Sequence, residues 1–86
     1  MREFEKTLKA IANRRRLAIL KYLKGSGEAK VGDIASEIGL SFRSTSKHLG
    51  VLSARDIVER DQRGLEVFYR LVKEQHSVVR YVVSLL

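Results

Sequence analysis

A short stretch in the middle of the chain has the residue types that contact nucleic acid. Ser41 stands where it can cap a helix, and Arg43 and Lys47 follow one helical turn apart. An arginine can donate two parallel hydrogen bonds to a guanine in the major groove of DNA, and a lysine can reach a base or a phosphate. No acid lies between these two cations, so they repel each other slightly instead of stabilising the helix. The pattern predicts a helix whose exposed side binds DNA.

The neighbours of these cations extend the predicted contact surface. Phe42 would be an exposed aromatic residue at the first helical position, where it could contact a thymine methyl group. Serine hydroxyls can donate to phosphate oxygens at short range, and a histidine at the edge of the core can bond to backbone or to phosphate. The predicted DNA-binding residues of this helix are Ser41, Phe42, Arg43, Ser44, Ser46, Lys47 and His48. The alternative is a helix side that faces only solvent.

Two further groups of cations could contact the DNA backbone. Arg60 and Arg63 lie at a turn expected between two strands, where acidic neighbours dilute the positive charge. Arg14 and Arg15 stand at the start of a helix, an end that favours bound phosphate. The alternative for the turn is plain solvation. The alternative for the helix start is that one arginine pairs with a distant carboxylate while the others are solvated.

The hydrophobic periodicity predicts five helices and one β-hairpin. Apolar residues recur at helical spacing over about residues 2–11, 14–24, 31–38, 42–55 and 73–86. The period changes to two in Ile57–Asp61 and Glu66–Leu71, with the turn at 61–64. Gly25 is expected to end the second helix and Gly39 the third, the latter with a positive φ. The predicted fold is mostly α with a small β-hairpin, in the order α-α-α-α-β-β-α of a winged helix-turn-helix.

The whole chain, residues 1–86, is expected to form a single domain in the cytoplasm. Its net charge of +7 favours an anionic partner. The chain has no cysteine, which excludes disulfides and thiolate metal sites. No apolar run approaches the roughly 18 residues of a membrane span. No catalytic set or phosphate-cradling loop can be assembled from these residues, so an enzyme is not expected.

The last helix carries apolar residues almost all the way round. One domain of this size cannot cover such a surface, so a second copy of the chain is its natural cover. The residues of this helix predicted at the dimer interface are Val78, Val79, Val82, Val83 and Leu86. In the alternative, the helix binds a different protein, and the chain is a winged-helix interaction module that does not read DNA.

Short motifs follow one another in a fixed order along nearly the whole chain. They are Leu8–Asn13, Arg16–Leu20, Val31–Ala35, Gly39–Ser41, Ser46–Leu49, Val51–Leu52 and Val67–Leu71. This ordered set resembles the ArsR/SmtB-type winged-helix transcription repressors. The resemblance implies a homodimer that binds double-stranded operator DNA and dimerises through its first and last helices, which adds Phe4 and Leu8 to the expected interface. It also implies groove contacts from Phe42, Arg43, Ser46 and Lys47.

The chain departs from this family pattern where metal-sensing members bind their metal. Such members carry a Cys-x-Cys pair at the start of the third helix, where this chain has Lys30 and Gly32. Others use Asp/His and His/Glu pairs on the last helix, whereas this chain has only Glu74 and His76 near there. One imidazole and one carboxylate do not make a tetrahedral zinc site. No metal or other cofactor is therefore expected, and the resemblance identifies no effector ligand.

Overall fold

The protein folds into five helices and a three-stranded antiparallel sheet, described here for residues 1–86 in a computed structural model. The helices are α1 Arg2–Ile11, α2 Arg14–Ser26, α3 Val31–Ile38, α4 Phe42–Ala54 and α5 Ser77–Ser84. The strands are β1 Glu28–Lys30, β2 Val58–Arg63 and β3 Glu66–Leu71, and β3 lies in the centre of the sheet. The predicted winged helix-turn-helix class is confirmed. None of the helices has both the length and the apolar character needed to cross a bilayer.

Local capping signals set the positions of α3 and α4. α3 ends at Gly39, whose φ of +69° lies in the left-handed region that glycine adopts without strain. The hydroxyl of Ser41 accepts a hydrogen bond of 3.1 Å from the backbone N–H of Ser44 and caps α4. Asn13 caps α2 in the same way, by accepting from the N–H groups two and three residues later. The predicted cap at Ser41 and the left-handed Gly39 are confirmed.

One apolar core connects the helices to the sheet. Its fully buried side chains are Ile19, Leu20, Leu23, Ile34, Leu49, Leu52, Ile57, Val58 and Val79. Thr45, Leu49 and Leu52 recur at helical spacing on one side of α4, and all three are buried. Burial of a side chain such as Leu49 is worth about 1.5–3 kcal/mol, so this face fixes the orientation of α4. The opposite side of α4 is left facing outward.

The sheet has a strand that the sequence pattern does not predict. β1 pairs with β3, with Ala29 opposite Tyr69. It has only three residues, and a single apolar residue between two charged ones is too short for strand alternation to be recognised. The end of α2 also differs from the prediction, because the helix continues past Gly25. Gly27, with a φ of +83°, follows the last helical residue instead, and its N–H bonds the carbonyl of Leu23.

The last helix is shorter than the predicted 73–86. The side-chain amide of Gln75 donates to two backbone carbonyl oxygens at 2.7 and 2.8 Å and holds the chain before α5 in a turn. His76 then caps α5, because its Nδ1 accepts from the backbone N–H two residues later at 3.1 Å. The polar residues before Ser77 therefore form a connection and a cap in place of a first helical turn.

Candidate nucleic-acid interface

The outward side of α4 presents two cations and a large aromatic side chain. Arg43 and Lys47 are exposed, and neither lies within 4.0 Å of a carboxylate. Phe42 is 63% exposed, which leaves most of an apolar ring in water. Ser44 and Ser46 are half-buried beside them. The structure therefore brings the predicted residues of this helix together on a surface whose charges are free to bind an external anion.

The β2–β3 hairpin, called the wing below, places its two arginines on opposite faces of the sheet. Successive side chains of a strand alternate between faces, so Arg60 shares the inner face with buried Val58, and Arg63 lies on the outer face. Arg60 is exposed and has no carboxylate partner. Arg63 donates to both carboxylate oxygens of Glu28 at 2.7 and 2.8 Å and lies 4.3 Å from the centre of the Phe68 ring. Arg60 is the wing arginine that is free, while Arg63 joins all three strands.

Further ion pairs cover the outer face of the sheet. Arg70 lies 2.9 Å from Glu59 and 3.3 Å from Asp61, and Arg63 also pairs with Asp61 at 2.9 Å. Hydrogen bonds from Arg63 hold the pKa of both Glu28 and Asp61 below the ordinary carboxyl values. The charges of this face are therefore largely satisfied within the chain, in contrast to those of α4.

The wing turns later than predicted, and its tip is apolar. The last paired residues are Arg63 and Glu66, so the turn consists of Gly64 and Leu65 instead of residues 61–64. Gly64 has a φ of +63°, as the first central residue of a type II′ turn requires. Leu65 is fully exposed, and it lines a cleft of about 390 Å³ together with Phe42. The sequence signal for Leu65 was an apolar residue next to a turn glycine.

The arginines at the start of α2 divide into two bound residues and one free residue. Arg15 donates to the carbonyl oxygen of Ile38 at the end of α3, at 3.2 Å. Arg16 donates to two carbonyl oxygens near the end of α1. A cation is favourable at the C-terminal end of a helix, where the carbonyl dipoles point. Arg14 is exposed without an ion-pair partner, so it is the one that is free to bind an external anion.

His48 sits at the edge of the α4 surface and is held by α2. Its Nδ1 lies 3.1 Å from Nη1 of Arg16. Burial, and then the positive charges of Arg16 and Arg15, lower the pKa of His48 below its ordinary value. The ring is therefore neutral at neutral pH, because its ordinary pKa is already near 6.5.

An exposed apolar surface is formed by α1 and α5. Phe4 and Leu8 are each 37% exposed, and Tyr81 and Leu85 are 65% and 68% exposed. Val78, Val82, Val83 and Leu86 are partly buried against the core at its edge. Val79 does not belong to this surface, because the structure places it in the core with no exposed area. The prediction that Val79 lies at the interface is therefore wrong. Tyr81 and Leu85 are large exposed side chains of this surface that the predicted set of interface residues does not include.

The positions compared with metal-sensing proteins have other contacts. Lys30 pairs with Glu66 at 2.7 Å. His76 caps α5, and its ring centre lies 5.3 Å from that of Phe4. Nowhere do three His, Cys, Asp or Glu side chains come together in an arrangement that could hold a metal ion.

Comparison with known proteins identifies the family. The model that describes bacterial regulatory proteins of the arsR family matches residues 13–60, a region that contains α2, α3, α4 and the start of the wing. The chain belongs to the ArsR family. The resemblance seen in its ordered motifs is thereby confirmed.

Individual relatives agree with this assignment. The transcriptional repressor SdpR of Bacillus subtilis is 36% identical over 63 residues, which cover 73% of this chain and 69% of SdpR. The transcriptional activator HlyU of Vibrio cholerae is 41% identical over 64 residues, which cover 74% of this chain and 58% of HlyU. Both relatives are regulators of transcription.

Solved structures of relatives share the fold over almost the whole chain. Reduced HlyU from Vibrio cholerae superposes with a TM-score of 0.82 at 34% identity, covering 98% of this chain and 84% of HlyU. A homodimeric winged helix-turn-helix DNA-binding domain from Mycobacterium bovis gives a TM-score of 0.81 at 31% identity, covering 96% of this chain and 74% of that domain. The chain is thus a DNA-binding transcriptional regulator of the ArsR family.

Proposed function

We propose that this protein binds double-stranded DNA sequence-specifically as a homodimer, with α4 in the major groove and the wing against the backbone. The observation that carries the proposal is the outward side of α4. There, Arg43 and Lys47 have no carboxylate partner, and the Phe42 ring is largely exposed. Two unpaired cations beside an exposed aromatic ring on one side of a helix fit an anionic partner that also offers apolar contacts, as a base-paired duplex does.

The position of these residues on α4 matches the demands of the major groove. The groove is about 12 Å wide and admits one helix, and the N-terminal residues of that helix reach the base edges first. Phe42 and Arg43 are the first two residues of α4, and Lys47 follows one turn later. A bidentate arginine–guanine contact is worth about 1–3 kcal/mol of discrimination against a wrong base. We therefore assign the choice of sequence mainly to Arg43 and Phe42.

Backbone contacts would fix the position of α4 without reading sequence. Arg60 on the inner face of the wing and Arg14 at the start of α2 are exposed cations with no internal partner. We propose that they bind phosphates on the two sides of α4. Arg15 and Arg63 are bound within the chain, to a carbonyl oxygen and to carboxylates, so we expect them to contribute less.

The apolar surface of α1 and α5 is proposed as the homodimer interface. Phe4, Leu8, Tyr81 and Leu85 are large apolar side chains that a second copy would remove from water. The Mycobacterium bovis relative of similar fold is a homodimer. A two-fold dimer presents two copies of α4, so the operator should contain two half-sites about 10 bp apart, or a multiple of that distance.

We propose that occupancy of the operator represses transcription, as in the relative SdpR. The relative HlyU is an activator, so a reporter gene measured with and without the protein decides between the two directions. A bacterial regulator meets the chromosome in the cytoplasm, and we place the protein there.

Selection of bound duplexes from a random pool tests the proposed function. The wild-type protein should enrich a two-fold symmetric sequence. The Arg43→Ala variant should bind that sequence about 1–3 kcal/mol more weakly and lose its preference at one position of each half-site. Arg63→Ala is the matched control, since that guanidinium pairs with Glu28 and should leave the preference intact.

Two results would count against the proposal. An operator preference that stays the same in Arg43→Ala would remove this residue from sequence reading. A wild-type protein that is monomeric and enriches no sequence would favour an interaction module, in which the apolar surface binds a different protein.

A further inference from the structure

The side chain of Arg16 lies where α1, α2 and α4 meet. Its Nε donates to the carbonyl oxygen of Ala10, and its Nη2 donates to that of Lys9 at 3.2 Å, both near the end of α1. Its Nη1 lies 3.1 Å from Nδ1 of His48 on α4. Three separate donors of one guanidinium are thus directed at fixed acceptors, which holds the group in a single orientation.

This contact determines where the proton of His48 is. A guanidinium has five N–H donors and no acceptor, so the facing Nδ1 must be an unprotonated acceptor. The ring is then neutral and carries its hydrogen on Nε2. The charged groups that act on the ring are Arg16 and Arg15 of α2, and both disfavour the imidazolium, while α1 contributes only backbone carbonyl oxygens to the junction.

The Nε2–H group has no partner in the chain. The only hydrogen bond of the ring is the one at Nδ1. His48 as a whole is half-buried. The only side-chain polar atom that is both fully buried and without a partner is Oγ1 of Thr45, so Nε2 of His48 is not fully buried. The donor at Nε2 is therefore accessible from outside. It lies on α4 one turn after Ser44, beside the surface that carries Lys47.

We propose that His48 donates its Nε2–H to a DNA phosphate, and that Arg16 is the positioning residue that holds the ring in the donating tautomer. This inference rests on the proposed function, because it needs α4 to lie on DNA. It adds to the charged contacts a neutral one, which is linked through Arg16 to the end of α1.

A neutral contact differs from a cationic one in two measurable ways. It releases no condensed counterion, so removing it weakens binding without changing the salt dependence. It is made by the neutral ring, which need not take up a second proton, so the affinity for DNA should not change between pH 8 and about 6.5. If Arg16 is shortened to lysine, the ring loses its fixed partner, and protonation below about pH 6.5 should then alter the affinity.

Two substitutions at His48 separate its two nitrogen atoms. In His48→Asn, the carboxamide oxygen can still accept from Arg16, but no donor reaches the position of Nε2. In His48→Gln, the longer amide can still place a donor there. We expect His48→Asn to weaken binding to the selected duplex roughly tenfold for a dimer with two such bonds, at an unchanged salt slope, and His48→Gln to stay within about threefold of wild type.

Nitrogen-15 NMR of the histidine rings, with the affinity measured by fluorescence anisotropy, tests the proposal. The wild-type spectrum should show His48 neutral and protonated at Nε2 at pH 7, and Arg16→Lys should show a mixture of forms. A ring protonated at Nδ1, or an Asn variant that binds as tightly as wild type, would overturn the proposal. If Arg16→Lys does not fold, the two His48 variants and the wild-type spectrum still decide.

The outcome of Arg43→Ala in the same assay distinguishes this inference from the proposed function. If Arg43→Ala weakens binding and His48→Asn does not, only the role of His48 fails. If neither variant changes binding, the placement of α4 on DNA fails as well.

Discussion

Raising the salt concentration should weaken DNA binding steeply, and the number of exposed cations that can bind phosphates sets the size of this effect. In each protomer, Arg14, Lys47 and Arg60 are exposed, have no carboxylate partner and are free to bind phosphates. A dimer therefore brings about six such charges to the DNA backbone. Each neutralised phosphate contributes about −0.9 to the slope of log K against log salt concentration, which gives a slope of about −5. Between 50 and 200 mM salt, the affinity should fall by about 10³-fold.

Fluorescence anisotropy of a labelled operator duplex, titrated at several salt concentrations, measures this slope. Arg60→Ala should make the slope less steep by about 2, because each dimer loses two charges that are proposed to bind phosphates. Arg63→Ala should change it little, because that guanidinium is already paired with Glu28 and Asp61. A wild-type slope shallower than about −3 would contradict the proposed number of phosphate contacts. So would an Arg63→Ala variant that changes the slope as much as Arg60→Ala does.

Three further predictions concern stability and assembly. Thr45→Val should stabilise the fold by about 1 kcal/mol in denaturant unfolding, since the buried Oγ1 has no hydrogen-bond partner and burying such a group costs about 1–3 kcal/mol. A loss of stability would mean that the hydroxyl makes a hydrogen bond. Leu85→Glu should make the protein monomeric in analytical ultracentrifugation and weaken operator binding, because it puts a charge on the exposed apolar surface. Lys21→Glu, on the exposed side of α2, is the control, and a Leu85→Glu protein that is still a dimer would exclude this interface. Arginine hydrogen bonds lower the pKa of Glu28 and Asp61 in the folded state, so the stabilisation that these carboxylates give is present above their unfolded pKa values near 4 and is lost as the pH falls through their folded pKa values. Thermal unfolding from pH 7 to 3 should show this loss, and a Glu28→Gln profile that falls as steeply as that of wild type would contradict it.

The helices around the DNA-binding surface could be predicted because their signals are local. Asn13 and Ser41 cap helices through atoms two or three residues away, and Gly39 ends α3 through its own φ. Such interactions depend on neighbouring residues only, so the bounds of α3 and the start of α4 agree with the prediction. The inward set of α4 could be predicted for the same reason, because helical periodicity places Leu49 and Leu52 on one side.

The remaining features depend on contacts between distant parts of the chain. Arg63 is bound by Glu28, which lies 35 residues earlier, so the sequence pattern could not show that this charge is satisfied. His48 and Arg16 are 32 residues apart, and the tautomer follows only from their contact. Val79 shares the apolar character of its neighbours on α5, and only the packing shows that it belongs to the core. Periodicity gives the face of a helix but not the partner on that face.

In the proposed complex, the outward side of α4 binds the DNA groove in a two-fold dimer. NMR spectra of the labelled protein, titrated with the selected operator duplex, test it most directly. The protein should be a dimer before the duplex is added, and the largest shifts should occur at residues 42–48 and at Arg60, with the outer face of the sheet unchanged. A protein that stays monomeric, or one whose residues 42–48 do not shift while the duplex binds elsewhere, would contradict it.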